Sequence, residues 1–500
     1  MRIPFPERIP IERAAVFAIV LFVVQQLEGT ALYFSAGCVV FLLAATFAFN
    51  TAGGLTRASG AYVFFYSVLV VVIGLCYKAF LGEPADSNLL DPHTTIEVYV
   101  GGVSAMLAAV VVSRRFARKT GVLQNLMKDS DMYRASVGCM VIGVGGPFLI
   151  ALLGRSGAWL STAFAQLDLL IPLGIVIGVM NEIRRSGGTR SLNLSVALVA
   201  IYYFVVYGVL VFSKQGMLIP LYCWLVPVCA MRFRLSALQA FSCLLVVFVI
   251  FQYLVPYSQY GRDFATGPQS ISQRVAIATR LLEHPGDTKQ KYEEGNSQSV
   301  GYYNTPQGFW DRLQFISVDD SLINITDQGK EFGLWPIKAT FLNAIPHIFW
   351  PDKPAILFGN VYAHEIGILP EEDTTTGISF SPTAEAYHMD KWAGVLVAAP
   401  LVWFLLFIVF DSLLGDLRAS PWGLLVIAQI SHEAPEGALN GAVRLVTFGT
   451  EIFVFCAIFA TWVAPVFATF VLGPDRRRFA PRRLVPTPRR LADALPPRPL

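Results

Sequence analysis

Residues 345–395 hold the densest group of side chains able to do chemistry. Proline, glycine, aromatic and charged residues run there straight into an apolar stretch. Ser381-Pro382 reads as a helix N-cap followed by proline at the first helical position. Glu385 then falls in the first turn, where the helix dipole favours a carboxylate. His388 follows at i+3, on the same face. A carboxylate beside an imidazole is a candidate general-base pair, and it is equally the polar start of a solvated helix. Both readings stand at this point. Upstream, Trp350-Pro351-Asp352-Lys353-Pro354 is a rigid turn that presents one cation.

Three further cations belong with that set. Lys214 lies in Ser213-Lys214-Gln215-Gly216, Arg262 follows Tyr257-Ser258-Gln259-Tyr260-Gly261, and Arg312 lies in Trp310-Asp311-Arg312-Leu313. Each alone reads as an anchor at a membrane interface. Together with Lys353 they suggest an anionic ligand, and arginine can grip a pyrophosphate through its bidentate fork. His364-Glu365 with Glu371, Glu372 and Asp373 reads as a solvated acidic turn, because the spacing fits no metal motif. No P-loop, GxSxG, HExxH or dinucleotide-binding glycine pattern occurs in a fitting context. No metal site and no cofactor is expected.

These groups need elements to position them. A chain of 500 residues would ordinarily suggest several soluble domains, but 54% of it is hydrophobic and only 15% charged. Apolar runs long enough to cross a ~30 Å hydrocarbon core recur along it. They are continuous rather than alternating, which excludes an outer-membrane barrel. The expected fold is therefore all-α and polytopic, with about twelve transmembrane helices. The expected spans lie near 14–25, 31–49, 60–77, 95–113, 134–153, 167–181, 193–212, 217–231, 235–255, 393–410, 421–432 and 444–472.

Domain organisation follows: an N-terminal bundle over 1–255, a large loop over 256–392, C-terminal helices over 393–473, and a tail over 474–500. With the N-terminus placed in the cytoplasm, most basic residues between spans fall inside, Arg114, Arg115, Arg118 and Lys119 among them. That orientation puts the large loop and all six histidines outside, and both termini inside. The arginine-rich, proline-rich tail cannot bury a core and suits anionic lipid headgroups; a topology signal explains its charge better than nucleic-acid binding. No cleavable signal peptide is expected. Within the loop, Ser270 and Gln273 resemble a capping box ahead of a short amphipathic helix. Phe309–Thr326 and Leu334–Ile345 read as further helices, Ser156–Gln166 as an interfacial helix, and Gly286–Thr305 as a polar, mobile stretch. All seven cysteines lie in or beside apolar runs, so no disulfide framework is expected. Glu97, Asp168 and Glu451 fall within or near spans, where an acid is a functional candidate.

At this point the sequence resembles a family, the bacterial oligosaccharide repeat-unit polymerases of the Wzy type, which polymerise O-antigen. The resemblance rests on the span count, the late large loop and the passage Ile345-Pro346 … Trp350-Pro351-Asp352-Lys353-Pro354. It continues through Gly377-Ile378, Ser381-Pro382-Thr383-Ala384-Glu385-Ala386-Tyr387 and Gly394-Val395. It departs in two places. Lys214 stands where the family often has arginine, and His388-Met389-Asp390 stand where a glycine is expected shortly after Tyr387. The resemblance implies a GT-C-like glycosyltransferase in the bacterial inner membrane. It would build O-antigen, capsule or exopolysaccharide from undecaprenyl-pyrophosphate-linked oligosaccharides on the periplasmic face, alongside a chain-length regulator. Its donor is already activated, so no nucleotide-sugar site is implied. In that chemistry Glu385 would be the base, helped by His388. Lys214, Arg262, Arg312, Lys353 and Tyr387 would hold pyrophosphate and glycan. Transfer of finished glycan to a lipid A core or a protein, and transport of lipid-linked sugars, are the alternatives.

Overall fold

The computed structural model describes residues 1–153, 169–264, 270–296, 301–305, 310–343, 356–374 and 376–473, together with Ile345 and Trp350. Among these the fold is all-helical apart from one isolated bridge between Phe380 and Gly437. The first nine helices are α1 (Ile11–Leu27), α2 (Leu32–Ala52), α3 (Ala58–Leu81), α4 (Pro92–Phe116), α5 (Met132–Leu153), α6 (Leu170–Arg185), α7 (Leu194–Val209), α8 (Lys214–Ala230) and α9 (Ala237–Arg262). Five shorter helices follow: α10 (Ile271–Glu283), α11 (Pro285–Asn296), α12 (Ile316–Asp327), α13 (Trp335–Asn343) and α14 (Phe358–Glu365). The last four are α15 (Pro382–Ala393), α16 (Ala399–Leu414), α17 (Pro421–Glu436) and α18 (Ala438–Leu472).

A helix thus stands at each of the twelve expected positions. Six helical runs are long and apolar enough to cross a membrane: α2, α3, α4, α9, α18 and the continuous run Pro382–Ala419. By contrast, α1, α6, α8 and α17 have 16 or 17 residues, short of the ~20 that span a bilayer. Local signals set many of the helix starts. Asp91-Pro92, Ser381-Pro382 and Ser420-Pro421 each pair a capping side chain with proline at N1. Ser270 and Gln273 form the expected capping box. The Ser156–Gln166 segment, Asp168 and the tail lie outside the described residues.

The segment between α9 and α15 departs from expectation in two places. Phe309–Thr326 does not make one helix: Trp310–Leu313 is a 3₁₀ turn, and α12 starts only at Ile316. The break lets the Phe315 amide donate to the Val70 carbonyl (3.2 Å), within a wide π-turn of α3 over Val68–Val72. Nor is Gly286–Thr305 simply polar and mobile. It contains α11, and Tyr302 and Tyr303 are fully buried. They pack on Lys78, itself fully buried, whose ammonium donates to the Tyr302 carbonyl and pairs with Glu83 (3.2 Å). Burying a lysine is tolerable only with such partners.

The run Pro382–Ala419 is broken at its start. Asp390 and Lys391 leave helical geometry, and Lys391 takes φ 42° and ψ −129°. The kink brings α15 back so closely that a Cβ on Gly394 would lie 1.7 Å from the Ala386 carbonyl oxygen, so only glycine fits there. Lys391 occupies a backbone state suited to glycine, and its ion pairs with Asp327 (3.9 Å) and Glu331 (3.7 Å) are half-exposed and weak. Lys391→Gly is therefore expected to stabilise the fold by about 1 kcal/mol, read as a higher melting temperature in detergent.

Candidate functional site

At the end of the bundle that carries the long 256–392 segment, a cavity of about 400 Å³ opens between α8, α9 and α17. Lys214 and Arg262, from different helices, both line it. Ser213 caps α8 by accepting from the Gly216 amide (3.1 Å), which makes Lys214 the first helical residue. Phe212, just before it, is held at φ 53°, and the Arg262 Nε donates to its carbonyl (3.1 Å). Arg262 thus braces the turn from which Lys214 projects. Much of the remaining wall is apolar, with Leu218, Ile219, Phe251, Val255 and Leu425. The 3₁₀ turn holding Arg312 reaches the same cavity through Leu313. The side chain of Arg312 and all of Lys353 lie outside the described residues.

The opposite wall is the polar end of α17. Gln429, His432, Glu433 and Glu436 recur at i, i+3, i+4 and i+7, a polar stripe on an otherwise apolar helix. His432 Nδ1 lies 3.2 Å from Glu436 Oε2, which also accepts from the Ser379 hydroxyl (3.4 Å). Glu433 is buried and accepts from Gln429 (3.0 Å) and Arg444 (2.5 Å). Two smaller cavities adjoin. One, of about 360 Å³, shares Gln215, Gln429 and His432 with the first and adds Glu433 and Arg444. The other, of about 240 Å³, shares Gly377, Ser379 and Glu436 and adds Tyr362, Asn440 and Arg444. Reading the sequence for cations and loop motifs missed His432, Glu433, Glu436 and Arg444 as a set. The stripe on α17 was the signal that could have found them.

Glu385 and His388 share α15 as expected, but not a hydrogen bond: different neighbours hold them. Glu385 is fully buried, and both its oxygens are engaged. Oε1 accepts from the Tyr362 hydroxyl (2.7 Å) and the Asn440 side-chain amide (2.6 Å), and Oε2 accepts from the Asn440 backbone amide (2.7 Å). The Leu439 amide adds another donor. Those backbone amides open α18, so Glu385 acts as an anionic cap on that helix. His388 is also buried, with Nδ1 on the Thr326 hydroxyl (2.9 Å) and Nε2 on Glu365 Oε2 (2.9 Å). Tyr387 donates to Asp327 (2.6 Å). Since Tyr362 and Asn440 line the 240 Å³ cavity, Glu385 lies one layer behind its wall.

A second buried carboxylate fixes the start of α15. Asp319 accepts from the Ser381 amide (2.9 Å) and the Tyr99 hydroxyl (2.8 Å), which ties α12, α15 and α4 together. Burial pushes its carboxyl up to about 7, against the pull of those hydrogen bonds. Asp320 is raised in the same way, by burial, while accepting from the amides of Leu90 and Asp91 and from Thr95. Glu97 is half-exposed, accepts from Tyr33 and lies 3.7 Å from His93; Glu451 is exposed on α18. His364 Nε2 meets the Asp373 carbonyl oxygen (2.9 Å), and among the described residues no cluster of His, Cys, Asp or Glu is arranged to hold a metal ion. All seven cysteines are free thiols. Compared with known proteins, the chain matches no family model, no curated protein and no solved structure, so the resemblance to repeat-unit polymerases rests on the sequence features given above alone.

Proposed function

We propose that this protein is an inner-membrane glycosyltransferase that polymerises undecaprenyl-pyrophosphate-linked repeat units on the periplasmic face. The observation that carries the reading is the 400 Å³ cavity, which combines two cations with an apolar wall. A lipid pyrophosphate has that same division, a dianionic head on an isoprenoid tail. Lys214 and Arg262 would hold the head, while Leu218, Ile219, Phe251 and Val255 would meet the first isoprene units. Charge built up on a departing pyrophosphate is stabilised strongly by cations fixed in advance at a water-poor site. In this reading the 256–392 segment faces the periplasm, and the twelve helices form the membrane bundle with both ends of the chain in the cytoplasm.

Deleting the gene and resolving surface and lipid-linked glycans on gels tests the proposal. Glycans capped at one repeat are the expected result. Long chains left on the carrier lipid would instead mark a ligase, and single repeats trapped in the cytoplasm a flippase. Complementation with Lys214→Ala or Arg262→Ala is expected to lower chain growth on the order of tenfold to a hundredfold each, the value of one charge-assisted contact. Full ladders from both variants would rule out this cavity as the pyrophosphate site.

A further inference from the structure

We propose that Glu436 is the general base of the transfer, and that the 240 Å³ cavity beside it receives the acceptor saccharide. The inference rests on the polymerase reading above and identifies the second half of that site. Transfer needs an acceptor hydroxyl and a donor anomeric carbon to meet, so the base belongs where the two substrates' spaces adjoin. Glu436 lines both the cation-bearing cavity and the smaller one. Its Oε2 is engaged by His432 and Ser379, whereas Oε1 accepts no hydrogen bond among the described residues, and the side chain is 41% exposed. The other carboxylates near the cavities lack this freedom. Glu385 is sealed behind the wall with both oxygens engaged, and Glu433, whose Oε1 pairs with Arg444, keeps its unpartnered Oε2 buried away from both substrates' spaces.

The smaller cavity has the character of a sugar site rather than a lipid site. Asn440 and Arg444 offer hydrogen-bonding groups, and Ile356 with the exposed Leu357 supplies an apolar edge. The step balances simply. The acceptor oxygen bonds to the donor's anomeric carbon, and the bond from that carbon to the pyrophosphate oxygen breaks. Undecaprenyl pyrophosphate leaves with the bonding electron pair. The acceptor's proton passes to Glu436 Oε1 and from there to water, while His432 keeps the carboxylate oriented through Oε2.

The test uses the full chain in lipid nanodiscs with lipid-linked repeat units as both donor and acceptor. Glu436→Gln changes an exposed group at a helix end. It is expected to reduce chain growth by on the order of a hundredfold or more, with binding of undecaprenyl pyrophosphate retained and partial recovery in Glu436→Asp. Chain growth in Glu436→Gln at the wild-type rate overturns the assignment of the base. Leu357→Trp tests the acceptor cavity separately: a several-fold rise in KM for acceptor at unchanged kcat is expected, and an unchanged KM overturns that assignment. Wild-type protein that never extends a repeat unit would instead refute the polymerase reading itself.

Discussion

Glu385→Ala is expected to leave little folded protein, while Glu385→Gln keeps the fold and, under the proposed polymerase function, chain growth. The fully buried carboxylate satisfies the Tyr362 hydroxyl, the Asn440 side chain and the first amides of α18. Alanine abandons these donors and leaves a void behind the cavity wall. The cost is on the order of 3–5 kcal/mol, a large share of the margin of a typical domain. Glutamine can keep its oxygen on the Asn440 backbone amide and turn its NH₂ toward Tyr362 and a flipped Asn440 side chain, both of which can accept. Melting in detergent and a glycan ladder in cells read the two effects independently. A Glu385→Gln protein that melts like wild type yet stops at one repeat would return the role of base to Glu385.

Raising the pH from 5 to 8 is expected to lower the melting temperature of the wild-type protein, and Asp319→Asn is expected to have a shallower slope. Burial holds the Asp319 carboxyl at about 7 in the fold, against an ordinary value of 3.8 when unfolded. Between those two values the folded state binds more protons, so stability falls as pH rises and levels off above about 7. The gap sets a ceiling on the order of 4 kcal/mol. Asp320, raised by the same cause, adds a slope of the same sign, which is why the variant is shallower rather than flat. Asparagine can accept from the Ser381 amide and donate to Tyr99, so the junction of α4, α12 and α15 survives the change. Equal slopes in the two proteins would show that Asp319 keeps the same proton affinity in both states.

What could be read from the sequence was local. Ser381-Pro382 and the Ser270–Gln273 box mark their helices because capping uses neighbours three residues away. Lys214 and Arg262 could be read as a pair because each stands at the end of an apolar run, where a cation is conspicuous. The partners of Glu385 and His388 could not. Helical spacing puts the two on one face, but Asn440 lies 55 residues from Glu385 and Glu365 lies 23 from His388. Nothing in i+3 spacing decides which distant group arrives. Composition misread 286–305 for a related reason, since polar residues surround two tyrosines whose burial depends on Lys78, 224 residues before Tyr302. His432 was legible only as one more histidine outside the membrane, and its pairing with Glu436 was hidden because the short run 421–432 reads by its apolar residues rather than by the polar stripe.

The same long separations bear on the order in which the chain is made. Ser59 waits for Asp411, 352 residues later, and Lys78 waits for Tyr302. While the ribosome is still working through α9, the end of α3 that holds Lys78 therefore lacks its lid and must stay hydrated or be shielded by the insertion machinery. The early helices can enter the bilayer, but these polar joints close only once Tyr302 and then Asp411 have emerged. Premature termination anywhere before α16 would leave Ser59 without Asp411 and the bundle without α17, and so without the cavity.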